Sequence, residues 1–229
     1  MIASPLDYLS TVALTAGSHA EPGGAVCAME ALACAFGFPH SDAPACTDAP
    51  LATAFRVVND WSGWRNDEAR TAFMRPYLMR LGRLALADRH APNAAYGYAA
   101  ADVACRLIAP MALDAAGMGG EAATLRGLAP VVDGVTARAA TLAATYATAY
   151  AADAADYAAV AADDYAAVAT RAAAAAAAAA AYAAATAAAA YAAATADATA
   201  YAAAAGALLA RLLDVCEAGC WPLPDLREG

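Results

Sequence analysis

Lysine and glutamine are both absent from the 229 residues, so 13 arginines carry all of the permanent basic charge against 22 acidic side chains. The formal net charge is −9. A surface this acidic repels phosphate backbones, so we expect no nucleic-acid partner. Residues 1–10 contain no basic side chain, and Pro5 and Asp7 interrupt their apolar run. This differs from a secretory signal peptide, and a cytoplasmic location is therefore expected.

Familiar catalytic motifs are missing as well. The sequence contains no phosphate-binding loop, no dinucleotide fingerprint, no nucleophile elbow and no His-Glu-x-x-His. An ordinary enzyme is therefore disfavoured, and a non-enzymatic interaction or structural protein is the leading hypothesis.

Alanine occupies 45 of the 69 positions from 137 to 205, including ten in a row at 172–181. No glycine or proline lies between Gly134 and Gly206, and alanine is the strongest helix former. A single helix of this length would measure about 100 Å, against a radius of gyration of roughly 17 Å for a compact chain of this size. The segment must therefore fold back, protrude or pair with another chain.

The side-chain pattern in this segment favours folding back. Residues 141–170 place threonine and aspartate on one helix face and tyrosine, leucine and valine on the other. The pattern breaks down after Arg171, which predicts a turn or a change of register between Asp163 and Ala172. We predict an all-α fold with an N-terminal helical domain over 1–129, an alanine-rich arm of closely packed antiparallel helices over 130–213, and a tail over 214–229.

A membrane span is a further possibility to weigh, because residues 172–196 lack charge and are long enough to cross a bilayer. Leucine, isoleucine, valine and phenylalanine are absent from this window, and alanine contributes little transfer free energy. We therefore expect no membrane contact.

Local signals divide the N-terminal part into helices. Ser4 and Pro5 start the first, Gly37 ends a helix over 25–36, and Asn66 or Asp67 starts one that runs to Leu86 and contains a proline. Asp102 and Arg106 are four residues apart and predict a surface ion pair. Near the C-terminus an apolar stripe is expected to pack against the N-terminal helices; it consists of Leu208, Leu209, Leu212, Leu213 and Cys216.

Arginines recur along one stretch of the chain. Two interpretations stay open: a solvated face that pairs with nearby acids, or a docking patch for an acidic partner. The residues are Arg65, Arg70, Arg75, Arg80, Arg83 and Arg89.

Thiol, imidazole and carboxylate groups gather between positions 27 and 46, on a predicted helix face and the loop that follows it. Zinc accepts all three ligand types, so one hypothesis is a zinc site, structural or hydrolytic. The alternative is a hydrogen-bonded anchor between helix and loop, in which His40 bonds to Glu30 or to a backbone carbonyl and the cysteines remain thiols. The candidate ligands are Cys27, Glu30, His40, Asp42 and Cys46.

These residues also carry a resemblance. Cys27-Ala-Met-Glu30-Ala, followed by His40-Ser-Asp42 with Pro44 and Cys46, resembles an uncharacterised family of phage and actinobacterial proteins that have alanine-rich tails. The similarity continues through Asn59-Asp60 and through Asp102, Arg106 and Pro110. The tail differs, because tyrosine and threonine stand where the relatives have mainly tryptophan, arginine and aspartate. The resemblance implies no function.

Three functions follow as hypotheses. The first is a protein whose alanine-rich arm binds a protein partner or a second copy of itself. The second is ice binding, since alanine helices with threonine, here Thr148 and Thr170, are the composition of one antifreeze class. The third is metal binding in the region from Cys27 to Cys46.

Overall fold

The computed structural model describes residues 4–19, 24–115, 117–149 and 198–219. Within these ranges the chain forms α-helices and one π-helical turn, with no β-strand, which confirms the all-α prediction. Most of the predicted arm, 150–197, lies outside the described residues, as does the proposed turn near Asp163. The side chains of Thr148 and Thr170, on which the ice-binding hypothesis rests, also lie outside them.

The first and fourth helices begin where the sequence signals predicted, whereas the second begins at Ala28 and not at 25. Ser4 Oγ accepts the Asp7 backbone N–H at 3.1 Å, and Asn66 Oδ1 accepts that of Ala69 at 2.8 Å, so both residues cap helices. Pro76 lies inside the fourth helix. The bounds are α1 Pro5–Thr11, α2 Ala28–Ala35, α3 Ala49–Asn59 and α4 Asp67–Leu86.

A second group of helices follows. The first of them passes from α-helix into a π-helical turn just before Pro110. The proline ring cannot donate a backbone N–H and would clash with the Arg106 carbonyl. The residues before it form a π-helical turn, in which the Ala109 N–H bonds to the Ala104 carbonyl. The elements are α5 Asn93–Val103, the turn Ala104–Ile108, α6 Ala109–Ala115, α7 Gly119–Arg126 and α8 Gly134–Ala149.

The predicted ion pair between Asp102 and Arg106 forms, but the prediction that it lies on the surface is wrong, because Asp102 is buried. Its Oδ1 atom accepts hydrogen bonds from Arg106 at 3.0 Å and from the Val131 backbone N–H at 2.9 Å. Four-residue spacing predicts the pair with Arg106 but not the loop that returns over it. Asp102 therefore joins α5 to the segment that precedes α8.

The last described helix, α9, spans Ala198–Ala218 and lies in the core of the bundle. It packs against α3, α4 and α5. Gly206 permits a close approach to α4, since a Cβ there would lie 2.6 Å from the Tyr77 hydroxyl. The predicted apolar stripe is fully buried: Leu208, Leu209, Leu212, Leu213 and Cys216. The predicted arm boundary at 213 falls within this helix.

Aromatic rings hold the first turn of α9. Tyr201 is buried and stacks on Trp61, with ring centroids 3.7 Å apart and planes inclined by 15°. Trp64 packs against both rings and against Phe73 of α4. The tryptophan loop between α3 and α4 thus fixes the start of α9.

Of the described helices, only α9 is long and apolar enough to cross a membrane by length and composition. More than half of that stretch, 56%, is buried inside the bundle. A core helix of a folded domain meets the same criterion, so the composition of α9 is explained by its packing.

Arg75 of α4 supports the end of α1, because its guanidinium donates to the carbonyls of Leu9 and Ser10 and, at 3.0 Å, to that of Val12. Replacing Arg75 with glutamine leaves these carbonyls without the charged donor, and we expect a loss of about 1–2 kcal/mol in the free energy of unfolding. Urea denaturation checks this. Arg83→Gln, at an exposed site on the same helix, is the control; equal effects of the two substitutions would contradict the role of Arg75.

Candidate functional site: the hydrogen-bonded loop around Glu30

Buried polar side chains concentrate at one place, the loop of residues 12–19 between α1 and α2. Among the described residues, five polar or charged residues are buried: Glu30, Asn59, Arg70, Thr71 and Asp102. Apart from Asp102, each of them bonds to this loop or to a residue that does. Because an unpaired buried polar group is costly, these hydrogen bonds favour the conformation of the loop that satisfies them.

Glu30 of α2 is the centre of the network and is 1% exposed. Its carboxylate accepts the backbone N–H of His19 at 2.6 Å, that of Cys27 at 2.8 Å and His19 Nδ1 at 2.7 Å. Burial alone would raise the pKa of Glu30, but these donors outweigh it and the pKa is lowered. A carboxylate therefore occupies this position at neutral pH.

Cys27 and Glu30 form a capping box at the start of α2. The Glu30 backbone N–H donates to Cys27 Sγ at 3.5 Å while the Glu30 carboxylate accepts from the Cys27 backbone N–H. Capping boxes normally use serine or threonine at the first position; here a thiol takes that place. Burial raises the pKa of Cys27 to about 12, so this cysteine remains a thiol.

Two histidines complete the network on either side of Glu30. His40, on the loop after α2, donates from Nε2 to the His19 carbonyl at 2.8 Å, and the same nitrogen lies 3.7 Å from Glu30 Oε1. His19 Nε2 contacts the Thr15 hydroxyl at 3.1 Å. A hydrogen bond from His40 to a backbone carbonyl is the contact that the anchor interpretation predicts.

Helices α3 and α4 hold the other half of the loop. Asn59 donates to the Thr15 carbonyl at 2.8 Å, and Asp60 accepts the Gly17 N–H at 2.8 Å. Thr71 accepts the Leu14 N–H at 2.8 Å. The fold thus brings to one loop four residues from the motifs that carry the resemblance: Glu30, His40, Asn59 and Asp60.

Three of the five predicted ligands meet at this network: Cys27, Glu30 and His40. Asp42 does not, because it pairs with Arg56 at 3.2 Å, and Cys46 packs against the hydrophobic core. Sequence reasoning missed His19, whose preceding loop carries no motif. Near this network, Cys34 Sγ lies 3.8 Å from His40 Nδ1.

The described residues contain no group of three or more metal-ligating side chains arranged around a common point. His40 illustrates the reason, since its two ring nitrogens face different neighbours, Cys34 and the His19 carbonyl. His19 Nδ1 and Glu30 are separated by 2.7 Å, which is a hydrogen-bond distance. Two ligands of one zinc ion lie further apart than this when each bond is about 2 Å.

The arginines of α4 and its flanks serve the fold. Arg70 Nε donates to the Asn59 carbonyl at 2.7 Å, and Arg80 contacts Asp214 and Glu217 of α9 at 2.5 Å. Arg89 donates at 2.8 Å to the Glu217 carbonyl, near the end of α9. With Arg75, four of the six arginines thus have partners within the chain, which favours internal pairing over a docking patch.

A second carboxylate, Asp48, joins α3 to the turn before α5. It accepts from His90 Nδ1 at 2.6 Å, from the Ala91 N–H at 3.1 Å and from the buried Tyr96 hydroxyl at 2.5 Å. His90 Nε2 also faces Asp88 at 3.3 Å. These hydrogen bonds and charges raise the pKa of His90.

His90 should make stability depend on pH. Because its folded pKa is raised above the ordinary value of about 6.5, its contribution is complete below that pH and disappears as pH rises through the folded pKa. His90 is 45% exposed, so solvent screening limits the effect to at most about 1 kcal/mol. Denaturant titrations from pH 5.5 to 8.5 should show a decline that His90→Asn removes; an unchanged slope in the variant would contradict this.

Comparison with known proteins yields no match to a family model, a curated protein or a solved structure. The resemblance to phage and actinobacterial proteins at the Cys27 and His40 motifs therefore stays a prediction. What can be argued about function rests on the contacts within this chain.

Proposed function

We propose that this chain is a non-enzymatic helical interaction protein, in which a rigid bundle presents the alanine-rich segment 150–197 to a protein partner or to a second copy of itself. The observation that supports the proposal most is the burial of α9, which follows the segment, in the core shared with α3, α4 and α5. On the other side, α8 precedes the segment and buries Ala137 and Ala140 against α5 and its π-helical turn.

The segment is thus bounded by packed helices at both ends. Packing of the flanking helices lowers the entropic cost of association, because these helices need not be ordered when a partner binds. Alanine offers methyl groups and close backbone approach, so association would come from many small dispersion contacts with tyrosines between them. Such a surface suits another helix better than a small substrate.

Sedimentation equilibrium of the full chain from about 1 to 100 µM tests self-association, a range in which a micromolar dissociation constant is measurable. Ala176→Pro lies within the run of ten alanines and should weaken association, because proline costs about 3 kcal/mol in a helix interior. Ala176→Ser, similar in size and compatible with a helix, is the control. Thermal unfolding of the bundle should be the same in both variants.

A monomer at every concentration would contradict self-association. A pull-down from the native host, with Ala176→Pro as the bait for comparison, then tests a different partner. Binding to a different protein is supported only if the wild-type chain retains a protein that the proline variant loses. That protein must also bind the purified chain directly.

The other two hypotheses remain predictions. Zinc binding is tested by elemental analysis of protein purified without chelator, where less than about a tenth of an equivalent would exclude a tight structural site. Ice binding is tested by thermal hysteresis at millimolar protein.

A further inference from the structure

Cys34 and His40 form a pair that the loop network alone does not require. Cys34 lies near the end of α2 and is partly exposed, and its Sγ atom is 3.8 Å from His40 Nδ1. His40 already holds the loop through its other nitrogen, Nε2. The contact between thiol and imidazole therefore needs a separate explanation.

The hydrogen bond to the His19 carbonyl fixes the tautomer of His40. A carbonyl only accepts, so Nε2 carries a hydrogen, and in the neutral ring the lone pair then lies on Nδ1, the nitrogen that faces the thiol. Glu30 Oε1 lies 3.7 Å from Nε2. The His19 carbonyl and Glu30 thus lie on the Nε2 side of the ring, and Nδ1 faces Cys34.

We propose that Cys34 and His40 act as a nucleophile and its base, and that Cys34 is, among the cysteines that the structure describes, the one that reacts with small peroxides. A nucleophile, a base within reach and a third group that orients the base are the features by which such pairs are recognised. The inference is independent of the alanine-rich segment and of the proposed function.

The reaction balances with hydrogen peroxide as the oxidant. Cys34 Sγ attacks one peroxide oxygen and the O–O bond breaks, while the thiol proton passes to His40 Nδ1 and then to the departing hydroxide. The products are a Cys34 sulfenic acid and water. With His40 in place, burial and the charge of Glu30 raise the pKa of Cys34, so the thiol is the resting form and its proton must leave during the attack. The rate should therefore depend on His40, the base that faces the thiol.

Cys46 provides an internal comparison. It is also partly exposed, and burial raises its pKa as well. The chain has three histidines, and His19 and His90 bond to other groups while His40 faces Cys34. Cys46 is thus, like Cys34, partly exposed, and it differs in that the imidazole of His40 faces Cys34.

The test exposes the reduced full chain to hydrogen peroxide in the presence of dimedone, which traps sulfenic acids, and quantifies the labelled peptides by mass spectrometry. We expect labelling at Cys34 to be at least about a hundredfold faster than at Cys46, the low end of what a positioned base contributes. His40→Gln keeps an N–H for the His19 carbonyl but removes the base, and should lower the Cys34 rate to that of Cys46.

The wild-type comparison requires no variant, so the proposal stays testable even if His40→Gln unfolds. Equal rates at Cys34 and Cys46 in the wild-type chain would overturn it. So would a folded His40→Gln variant, judged by its thermal unfolding, in which Cys34 still reacts at the wild-type rate.

Discussion

Replacing Glu30 with alanine should lower the free energy of unfolding by about 3 kcal/mol, within the range for removing one partner from a buried charged network. The substitution leaves the backbone N–H groups of His19 and Cys27 and the His19 ring without their acceptor. It also removes one half of the capping box at α2. Equilibrium denaturation in urea at pH 7 measures the change.

Glu68→Ala is the matched control, since Glu68 is exposed in the first turn of α4 and its loss should cost about 0.5 kcal/mol or less. A Glu30→Ala cost no larger than that of Glu68→Ala would contradict the network. The pH dependence has a defined sign as well. Because the folded pKa of Glu30 is lowered, its contribution is present above the unfolded pKa of about 4.3 and is lost as pH falls through the folded value.

Leu212→Ala should destabilise the chain by about 3 kcal/mol, because Leu212 is fully buried and the truncation leaves a cavity beside α9. The effect follows only if α9 belongs to the core of the bundle. A helix that merely touched the bundle at its rim would lose much less.

Leu86→Ala makes the same chemical change at the end of α4, where the side chain is 54% exposed. We expect this control to cost less than about 1 kcal/mol, since little apolar surface leaves water there on folding. Melting curves of the two variants and the wild type provide the comparison. Similar melting temperatures for Leu212→Ala and the wild type would contradict the core position of α9.

Elements with a local chemical signal were predictable from the sequence. Ser4 and Asn66 cap their helices by hydrogen bonds within four residues, so the sequence alone indicates both starts. The leucine stripe of α9 repeats at helical spacing, and its burial against the N-terminal helices was likewise predictable. In each case the signal and the structure lie on the same short stretch of chain.

The site was only partly predictable, because its decisive contacts join residues far apart in sequence. Nothing near His19 indicates that it bonds to Glu30, eleven residues later. The residue types at Cys27 and Glu30 left metal ligation and a hydrogen-bonded anchor both open. Their role as a capping box was missed because it needs a thiol in place of the usual hydroxyl. The burial of Asp102 was missed for the same reason, since its second partner, Val131, is 29 residues away.

Hydrogen exchange of the native full chain at neutral pH tests most directly whether α9 belongs to the bundle that bounds the alanine-rich segment. If α9 folds and unfolds with the core, the amides of residues 208–216 should exchange as slowly as those in the centres of α3 and α4, with protection that corresponds to global unfolding. Exchange of 208–216 within minutes, while α3 and α4 remain protected, would contradict the shared core and the proposed function with it.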